Sequence, residues 1–196
     1  YVANFMLGNG QTVGAATAFP AGGPLPVRSA AGDFNGDGHA DFAVSNHEEH
    51  AVNVLFGDGT GQFDTGEPIP CGGVTGDLAA GDLDGDGRDE LIVVLDGQTR
   101  VEVYSGGQHG GSEAFELDLA PTDVETTDFD GDGRAEIIVP TSERIEVFTR
   151  LGANTYQHRW TPDCPFGTTG VKAGDLDEDG DDDLVAISSS GDVGIF

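Results

Sequence analysis

The segment Gly81-Asp-Leu-Asp-Gly-Asp-Gly-Arg-Asp-Glu90 is one of four closely similar segments in a chain of 196 residues. The other three read Gly32-Asp-Phe-Asn-Gly-Asp-Gly-His-Ala-Asp41, Thr127-Asp-Phe-Asp-Gly-Asp-Gly-Arg-Ala-Glu136 and Gly174-Asp-Leu-Asp-Glu-Asp-Gly-Asp-Asp-Asp183. Their first aspartates follow one another at intervals of 49, 46 and 47 residues. A repeat of about 40–50 residues is typical of a β-propeller blade, which is a sheet of four antiparallel strands.

Short apolar runs after each acidic segment predict the strands of the blade. One run follows the segment directly, as in Leu91-Ile-Val-Val-Leu95, and the next alternates, as in Val101-Glu-Val-Tyr104. Both kinds of run are rich in β-branched residues and bounded by turn residues, which indicates buried strands. A fourth strand leads into the next repeat, and no stretch sustains the 3.6-residue period of a helix. The sequence therefore predicts an all-β fold.

The repeat divides the chain into five parts. Residues 2–10 align with residues 51–59, so the chain is expected to begin within a blade. The predicted parts are residues 1–20, the third and fourth strands of a blade; residues 21–70, 71–120 and 121–168, three blades with one acidic segment each; and residues 169–196, the first three strands of another blade. This is about four blades' worth of material, which we expect to be part of a larger propeller. Closure of the four blades on themselves is the alternative.

The acidic segments have the spacing of a calcium-binding loop. We number each loop from its first aspartate, which gives loop 1 (33–41), loop 2 (82–90), loop 3 (128–136) and loop 4 (175–183). Side-chain oxygens at positions 1, 3, 5 and 9 and a carbonyl at position 7 suit Ca²⁺, which takes six to eight oxygen ligands. Glycine at position 6 allows the chain to turn sharply around an ion. The sequence predicts four calcium sites, with side-chain ligands Asp33, Asn35, Asp37, Asp41; Asp82, Asp84, Asp86, Glu90; Asp128, Asp130, Asp132, Glu136; Asp175, Asp177, Asp179, Asp183; and carbonyl ligands from His39, Arg88, Arg134 and Asp181.

An EF-hand and an ion-free turn are both disfavoured as the structure of these loops. EF-hands place a bidentate glutamate at position 12 and continue into a helix. Position 12 is Val44, Val93, Val139 or Ala186 here, each within a strand-like run. An Asp/Gly-rich turn without an ion would account for a single copy, but four copies in register argue against it.

The charge balance excludes several classes of partner. The chain has 36 acidic and 8 basic residues, which gives a formal net charge of −28. Nucleic acids and anionic lipids are bound through Lys and Arg, so neither is expected as a partner. No run of about 18 apolar residues is present, so membrane insertion is not expected.

The repeated segments resemble the FG-GAP/VCBS repeats, a family found in integrin α-subunit heads, in several propeller lectins and in large bacterial surface proteins. The resemblance extends over essentially the whole chain and is most specific in the acidic loops. It implies a propeller that is secreted or lies at the cell surface, and adhesion or recognition of a protein or carbohydrate rather than catalysis. Family propellers usually close with about seven blades, so the remaining blades of a longer chain are a further expected partner.

Two functions of other classes remain open. One is a domain of a secreted polysaccharide-degrading enzyme, and the other is a structural spacer in a large surface protein. An enzyme requires basic and titratable groups that converge at one mouth, whereas the five histidines and eight basic residues here are scattered. We therefore predict that the protein is not an enzyme.

The connections at the strand ends opposite the acidic loops differ from blade to blade. Variable loops on a rigid scaffold are the usual place for recognition. We expect a ligand there, and the candidate contacts are His47, His50, Arg144, Trp160 and Phe166. A bridge between Cys71 and Cys164, at matching positions two blades apart, is left open.

Overall fold

In a computed structural model of the chain, the structure describes residues 2–5, 17–21, 23, 25–106, 111–160, 167–178 and 182–196. There is no helix in these ranges, and therefore none that could cross a membrane. The strands are β1 (Val2–Phe5), β2 (Thr17–Pro20), β3 (Pro26–Gly32), β4 (Asp41–Asn46), β5 (Ala51–Gly57), β6 (Phe63–Thr65), β7 (Ile69–Pro70), β8 (Thr75–Gly81), β9 (Glu90–Leu95), β10 (Arg100–Tyr104), β11 (Ser112–Glu116), β12 (Glu125–Thr127), β13 (Glu136–Pro140), β14 (Ile145–Gly152), β15 (Thr155–Trp160), β16 (Thr168–Gly174), β17 (Asp183–Ser188) and β18 (Val193–Ile195).

The strands form antiparallel sheets in chain order, which confirms the predicted all-β propeller blades. Blade 1 contains β3–β4–β5–β6, with β7 also paired to β5. Blade 2 contains β8 to β11, blade 3 contains β12 to β15, and blade 4 contains β16 to β18. Strands β1 and β2 form a separate two-stranded sheet. The fourth strand of blade 1 is divided into β6 and β7 around Pro68, which has no N–H to donate to a ladder.

The hydrophobic core lies between successive blades. The first strands β3, β8, β12 and β16 contact one another in that order. Strand β9 serves two interfaces, because successive side chains of a strand point to opposite faces. Leu91 and Val93 pack with blade 1, and Ile92 and Val94 pack with blade 3. This arrangement explains why the second strand of each blade is a continuous apolar run.

The two-stranded sheet lies beside blade 1. The ring of Phe19 in β2 contacts that of Phe63 in β6 edge to face, with 5.2 Å between centroids. Ala21, Val44 and Leu55 form the buried cluster beneath this contact. The order of packing therefore follows the order of the chain from β1 to β18.

The outward face of blade 4 is uncovered in the part of the chain that the structure describes. The residue at loop position 2 shows this most clearly, because Phe34 and Leu83 are fully buried against the next blade. Leu176, the equivalent residue of blade 4, is 54% exposed. Other exposed apolar residues of blade 4 are Ile187, Val193 and Ile195.

Cys71 lies half-buried in the connection between blades 1 and 2. Its thiol donates to the carbonyl of Ile69 at 3.7 Å, and burial raises the pKa of the thiol to about 11. Cys164, the other cysteine of the chain, lies outside the described residues.

Candidate metal centres and the opposite face

The four acidic loops occupy equivalent places in their blades. They connect β3 to β4, β8 to β9, β12 to β13 and β16 to β17, which are the first and second strands of each blade. All four lie at the same end of the strands, which we call the loop face. The connections between second and third strands lie at the other end, which we call the opposite face.

The position-1 aspartate organises loops 1 to 3 by accepting backbone hydrogen bonds. In loop 1, Asp33 Oδ1 accepts from the N–H groups of Gly36 at 2.8 Å and Asp37 at 3.1 Å. Its Oδ2 accepts from Gly38 at 2.7 Å. The same bonds recur at Asp82 of loop 2, and those from positions 5 and 6 recur at Asp128 of loop 3. A short acidic side chain that binds its own loop backbone favours a tight turn over continued strand.

The sharp turn also depends on left-handed backbone at positions 4 and 6. Gly36 and Gly38 have φ of 75° and 82°, and the matching glycines of loops 2 and 3 have φ between 70° and 88°. Only position 6 was recognised in the sequence as requiring glycine. Loop 4 has Glu178 at position 4 with φ of 63°, a conformation that is unfavourable for a residue with a Cβ.

The position-9 carboxylate closes each loop and is buried in loops 1 to 3. In every loop it accepts the N–H of position 2, at 3.0 Å in loop 1 and 2.9 Å in the others. Asp41, Glu90 and Glu136 are only 0%, 2% and 3% exposed. Burial raises the pKa of all three, and that of Glu90 reaches about 7 although the bond from Leu83 lowers it. A positive charge bound in the loop would offset this cost of burial.

Oxygen atoms of several predicted ligands converge in loops 2 to 4. One carboxylate oxygen from each member of a trio lies within 4.8 Å of the others, and the trios are Asp82, Asp84 and Asp86; Asp128, Asp130 and Glu136; and Asp175, Asp177 and Asp183. Glu90 and Asp132 are not members of these trios. In loop 1 the amide of Asn35 bonds to Asp37, through Nδ2–Oδ2 at 3.0 Å. A donor set made of oxygen fits a hard cation such as Ca²⁺ or Mg²⁺ rather than zinc.

The remaining predicted ligands lie at position 7 or outside the described residues. The N–H groups of His39, Arg88 and Arg134 donate to the position-5 carboxylate of their own loop at 2.9, 2.9 and 3.0 Å. These bonds hold position 7 at the end of the turn. Asp179 and Asp181 of loop 4 lie outside the described residues.

Three residues at the loops were not recognised in the sequence. Asp89, at position 8 of loop 2, accepts the N–H of Asp33 at 2.7 Å and donates its own N–H to the Asp33 carbonyl at 2.9 Å. The position-3 aspartates bind arginines: Asp84 binds Arg150, and Asp130 binds Arg159 at 2.8 Å. The sequence signal for the two arginines was weak: basic residues are rare in this acidic chain, so each is expected to pair with particular carboxylates.

On the opposite face, the candidate ligand contacts lie on different blades. His47 Nδ1 lies 3.8 Å from Asp96 Oδ2, and His50 is exposed in the same turn with φ of 51°. Arg144 Nε donates to Glu146 at 3.0 Å, and Nη2 lies 3.3 Å from Asp118 Oδ2. The contact between His47 and Asp96 therefore joins blades 1 and 2, while Arg144 lies on blade 3.

The two aromatic candidates are less fully described. Trp160 is the last residue of β15 and pairs through its backbone with Val147, but its side chain is outside the described part. Phe166 lies outside it altogether. A polar cavity of about 70 Å³ opens near the start of β8, between blades 1, 2 and 3, and its lining includes Arg28, Thr75, Asp77, Asp96 and Thr122.

Solved structures with a similar fold were found by structural comparison. BBS1N, in a crystal soaked with lead and in complex with ARL6DN, is similar with a TM-score of 0.63 at 16% identity over 87% of this chain and 47% of that chain. An Agrocybe aegerita lectin, which recognises non-reducing terminal N-acetylglucosamine, has a TM-score of 0.62 at 20% identity over 94% of this chain and 54% of its own. A Lactobacillus plantarum protein has a TM-score of 0.58 at 14% identity over 98% and 62%. At these identities the likeness shows the fold alone.

Sequence comparison gives the family. No curated protein sequence matches the chain significantly. The chain spans about half the length of the first solved structures that it resembles. Residues 33–93 and 128–186 match the family model described as FG-GAP-like repeat. Because these two segments make up more than half of the chain and contain all four acidic loops, the protein belongs to the family of FG-GAP-like repeats.

Proposed function

We propose that the protein is a calcium-stabilised, non-catalytic recognition module that is secreted or lies at the cell surface. Calcium ions in the four acidic loops stabilise the blades, and the opposite face binds a protein or carbohydrate ligand. The observation that carries the proposal is the convergence of carboxylate oxygens within 4.8 Å in loops 2 to 4. Like charges held so close oppose folding unless a cation offsets them.

The ion supplies positive charge and oxygen coordination when it is bound. In loops 2 to 4 the residues that would hold it are those at positions 1 and 3, joined by position 5 in loop 2 and by position 9, Glu136 or Asp183, in loops 3 and 4. The chain itself fixes these groups through backbone bonds to positions 1 and 9. Each loop therefore has hydrogen bonds of its own that help to place these groups.

Calcium binding is tested by equilibrium dialysis and calorimetry on the purified, calcium-depleted chain. We expect about four ions per chain, and about three after Asp128→Asn and Asp130→Asn are combined. A stoichiometry near zero at millimolar calcium would contradict the proposal.

Recognition of a protein or carbohydrate is supported by the kinds of ligand that similar folds bind. BBS1N was crystallised with the protein ARL6DN, and the Agrocybe aegerita lectin recognises a terminal sugar. The half-exposed His47 and the exposed His50 lie on a turn whose sequence differs from those of the other blades. The opposite face therefore combines a fixed scaffold with a surface that differs from blade to blade.

Ligand recognition is tested by a glycan array and by binding of extracellular proteins, followed by alanine substitution. His47→Ala and His50→Ala are expected to weaken binding at least tenfold and to leave calcium-dependent melting unchanged. The matched control is His39→Ala on the loop face, which should leave ligand binding intact. Loss of binding in the control, with retention in the other two variants, would place the ligand at the loop face and contradict this assignment.

A further inference from the structure

Arg150 is a buried cation at the interface between blades 2 and 3. It lies in β14 of blade 3 and is only 7% exposed. Its Nη2 and Nε donate to the two carboxylate oxygens of Glu113, in β11 of blade 2, at 2.8 and 3.3 Å. Tyr156 O–H donates to the same carboxylate at 2.7 Å. The remaining corner of the guanidinium, Nη1, binds Asp84 Oδ2 of loop 2.

This arrangement fixes the direction of the Asp84 side chain. A guanidinium is planar, so two bonds to Glu113 determine where its third corner points. That corner binds Oδ2 of Asp84, and one oxygen of the same carboxylate lies within 4.8 Å of oxygens of Asp82 and Asp86. Groups that bind the outer oxygen of a metal ligand typically orient it, and their loss costs about 10–100-fold in metal affinity.

We propose that Arg150 is a positioning residue for the cation site of loop 2 and couples that site to the docking of blade 3 on blade 2. The inference rests on the proposed calcium function of the loops. A positive charge near a cation site also repels the ion. The carboxylates of Asp82, Asp84, Asp86 and Glu113 outnumber the Arg150 guanidinium, so the site stays negative with Arg150 in place.

The other loops provide internal comparisons. In loop 3, Arg159 contacts Asp130 at 2.8 Å, but the Arg159 side chain is 44% exposed and belongs to the same blade. Exposed ion pairs of this kind contribute little to stability, because water screens the charges and both side chains lose conformational freedom. In loop 1, position 3 is the neutral Asn35, which bonds to Asp37 within its own loop. Of loops 1 to 3, loop 2 is thus the one whose position-3 side chain binds a buried cation from the next blade.

The test is a calcium titration of the whole chain followed loop by loop through glycine amide resonances. Gly87 N–H donates to Asp82 and reports loop 2, while Gly38 and Gly133 report loops 1 and 3. In Arg150→Met we expect the calcium affinity of loop 2, as reported by Gly87, to be about 10–100-fold weaker. Affinities at Gly38 and Gly133 should change less than about threefold. Arg159→Met, the matched control, should change no site by more than about threefold.

Two milder variants keep the test decisive if Arg150→Met does not fold. Arg150→Lys retains the charge but not the fork and should lose part of the affinity at Gly87. Tyr156→Phe removes one bond to Glu113 and should have a smaller effect of the same kind. Melting adds a second readout, because coupling is reciprocal. Arg150→Lys should lower the melting temperature more in calcium than in chelator. Substitution of a purely structural residue would lower it equally in both.

Each outcome either supports or overturns the proposed role of Arg150. Unchanged or tighter binding at Gly87 in the Arg150 variants would overturn it, since Arg150 would then be a competitor of the ion or a packing residue. Equal weakening at all three glycines would also overturn it, because that pattern reports general loss of stability. If Gly38, Gly87 and Gly133 of the unaltered protein do not respond to calcium, the proposed function fails as well. A selective loss at Gly87 supports both.

Discussion

Asp77 and Asp123 bring two carboxyl groups together where the first strands of blades 2 and 3 meet. Burial raises the pKa of Asp123 to about 6, and the carboxyl of Asp77 adds to this through a hydrogen bond and its charge. The N–H of Val171 in blade 4 also donates to Asp123, at 3.0 Å. An unfolded aspartate has a pKa of about 3.9. Between about pH 4 and pH 6 the folded state therefore holds a proton on Asp123 that the unfolded state has released. The stability linked to this proton is fully present below about pH 4 and is lost as the pH rises through 6.

Replacing Asp77 by asparagine should weaken this pH dependence, because it removes the part that Asp77 contributes and leaves the larger effect of burial. Asp77→Asn leaves Asp123 without a like charge beside it, so we expect a gain on the order of 1 kcal/mol at pH 7 and almost none at pH 4. Urea unfolding at the two pH values measures the difference. The control is Asp64→Asn on the exposed strand β6, which removes a charge without a buried neighbour. An equal gain in both variants would show that the effect is only one of net charge.

At the scale of the element, the acidic loops show how far the sequence could be interpreted. Their four copies and the strands after them were predictable, because each loop is shaped by bonds between residues at most eight positions apart, such as Asp82 and Gly87. The contact between Arg150 and Asp84 was not predictable, because the two residues are 66 positions apart in sequence and meet only through the packing of the blades. Asp89 and Asp33 are 56 residues apart and meet for the same reason. Local pattern therefore specifies the loop, and tertiary packing specifies its partners.

Loop 4 departs from the other loops at Glu178, and this should cost stability. Glu178→Gly should stabilise the chain by about 0.5–1 kcal/mol, because glycine adopts positive φ without the Cβ clash. Glu178→Gln removes the charge and keeps the backbone strain, so it should gain less. The reverse change, Gly131→Ala in loop 3, should cost about 1 kcal/mol, since a Cβ there meets no atom within 4 Å and only the backbone is strained. Thermal unfolding in calcium measures all three, and destabilisation by Glu178→Gly would show that backbone strain is not what distinguishes loop 4.

At the scale of the whole molecule, the blades rely on their neighbours for a core. Clusters of buried side chains join blades 1 and 2, blades 2 and 3, and blades 3 and 4. The outward face of blade 4 has no such partner among the described residues, and Val193 and Ile195 are 63% and 67% exposed. Exposed apolar patches and unpaired strand edges favour association.

The isolated chain should therefore self-associate through blade 4. Light scattering after gel filtration should show a mass that rises with concentration above the 20.2 kDa of one chain. Val193→Ser and Ile195→Ser together should reduce this association at least several-fold. Leu151→Ser, which changes a similarly exposed residue of blade 3, should not. A constant mass of one chain at all concentrations would instead indicate a closed, monomeric arrangement.

The central claim is that calcium holds the four loops and, through them, the blades. A site with a dissociation constant of about 0.1 mM contributes about 1.4 kcal/mol at 1 mM calcium, so four sites contribute about 6 kcal/mol. This is comparable to the net stability of a whole domain. The most direct test is the melting temperature of the unaltered chain in 1 mM calcium, in EGTA, and in EGTA with magnesium. We predict a fall of about 10–20 °C in EGTA and little recovery with magnesium, which gives up its water reluctantly; the same melting temperature with and without chelator would contradict the claim.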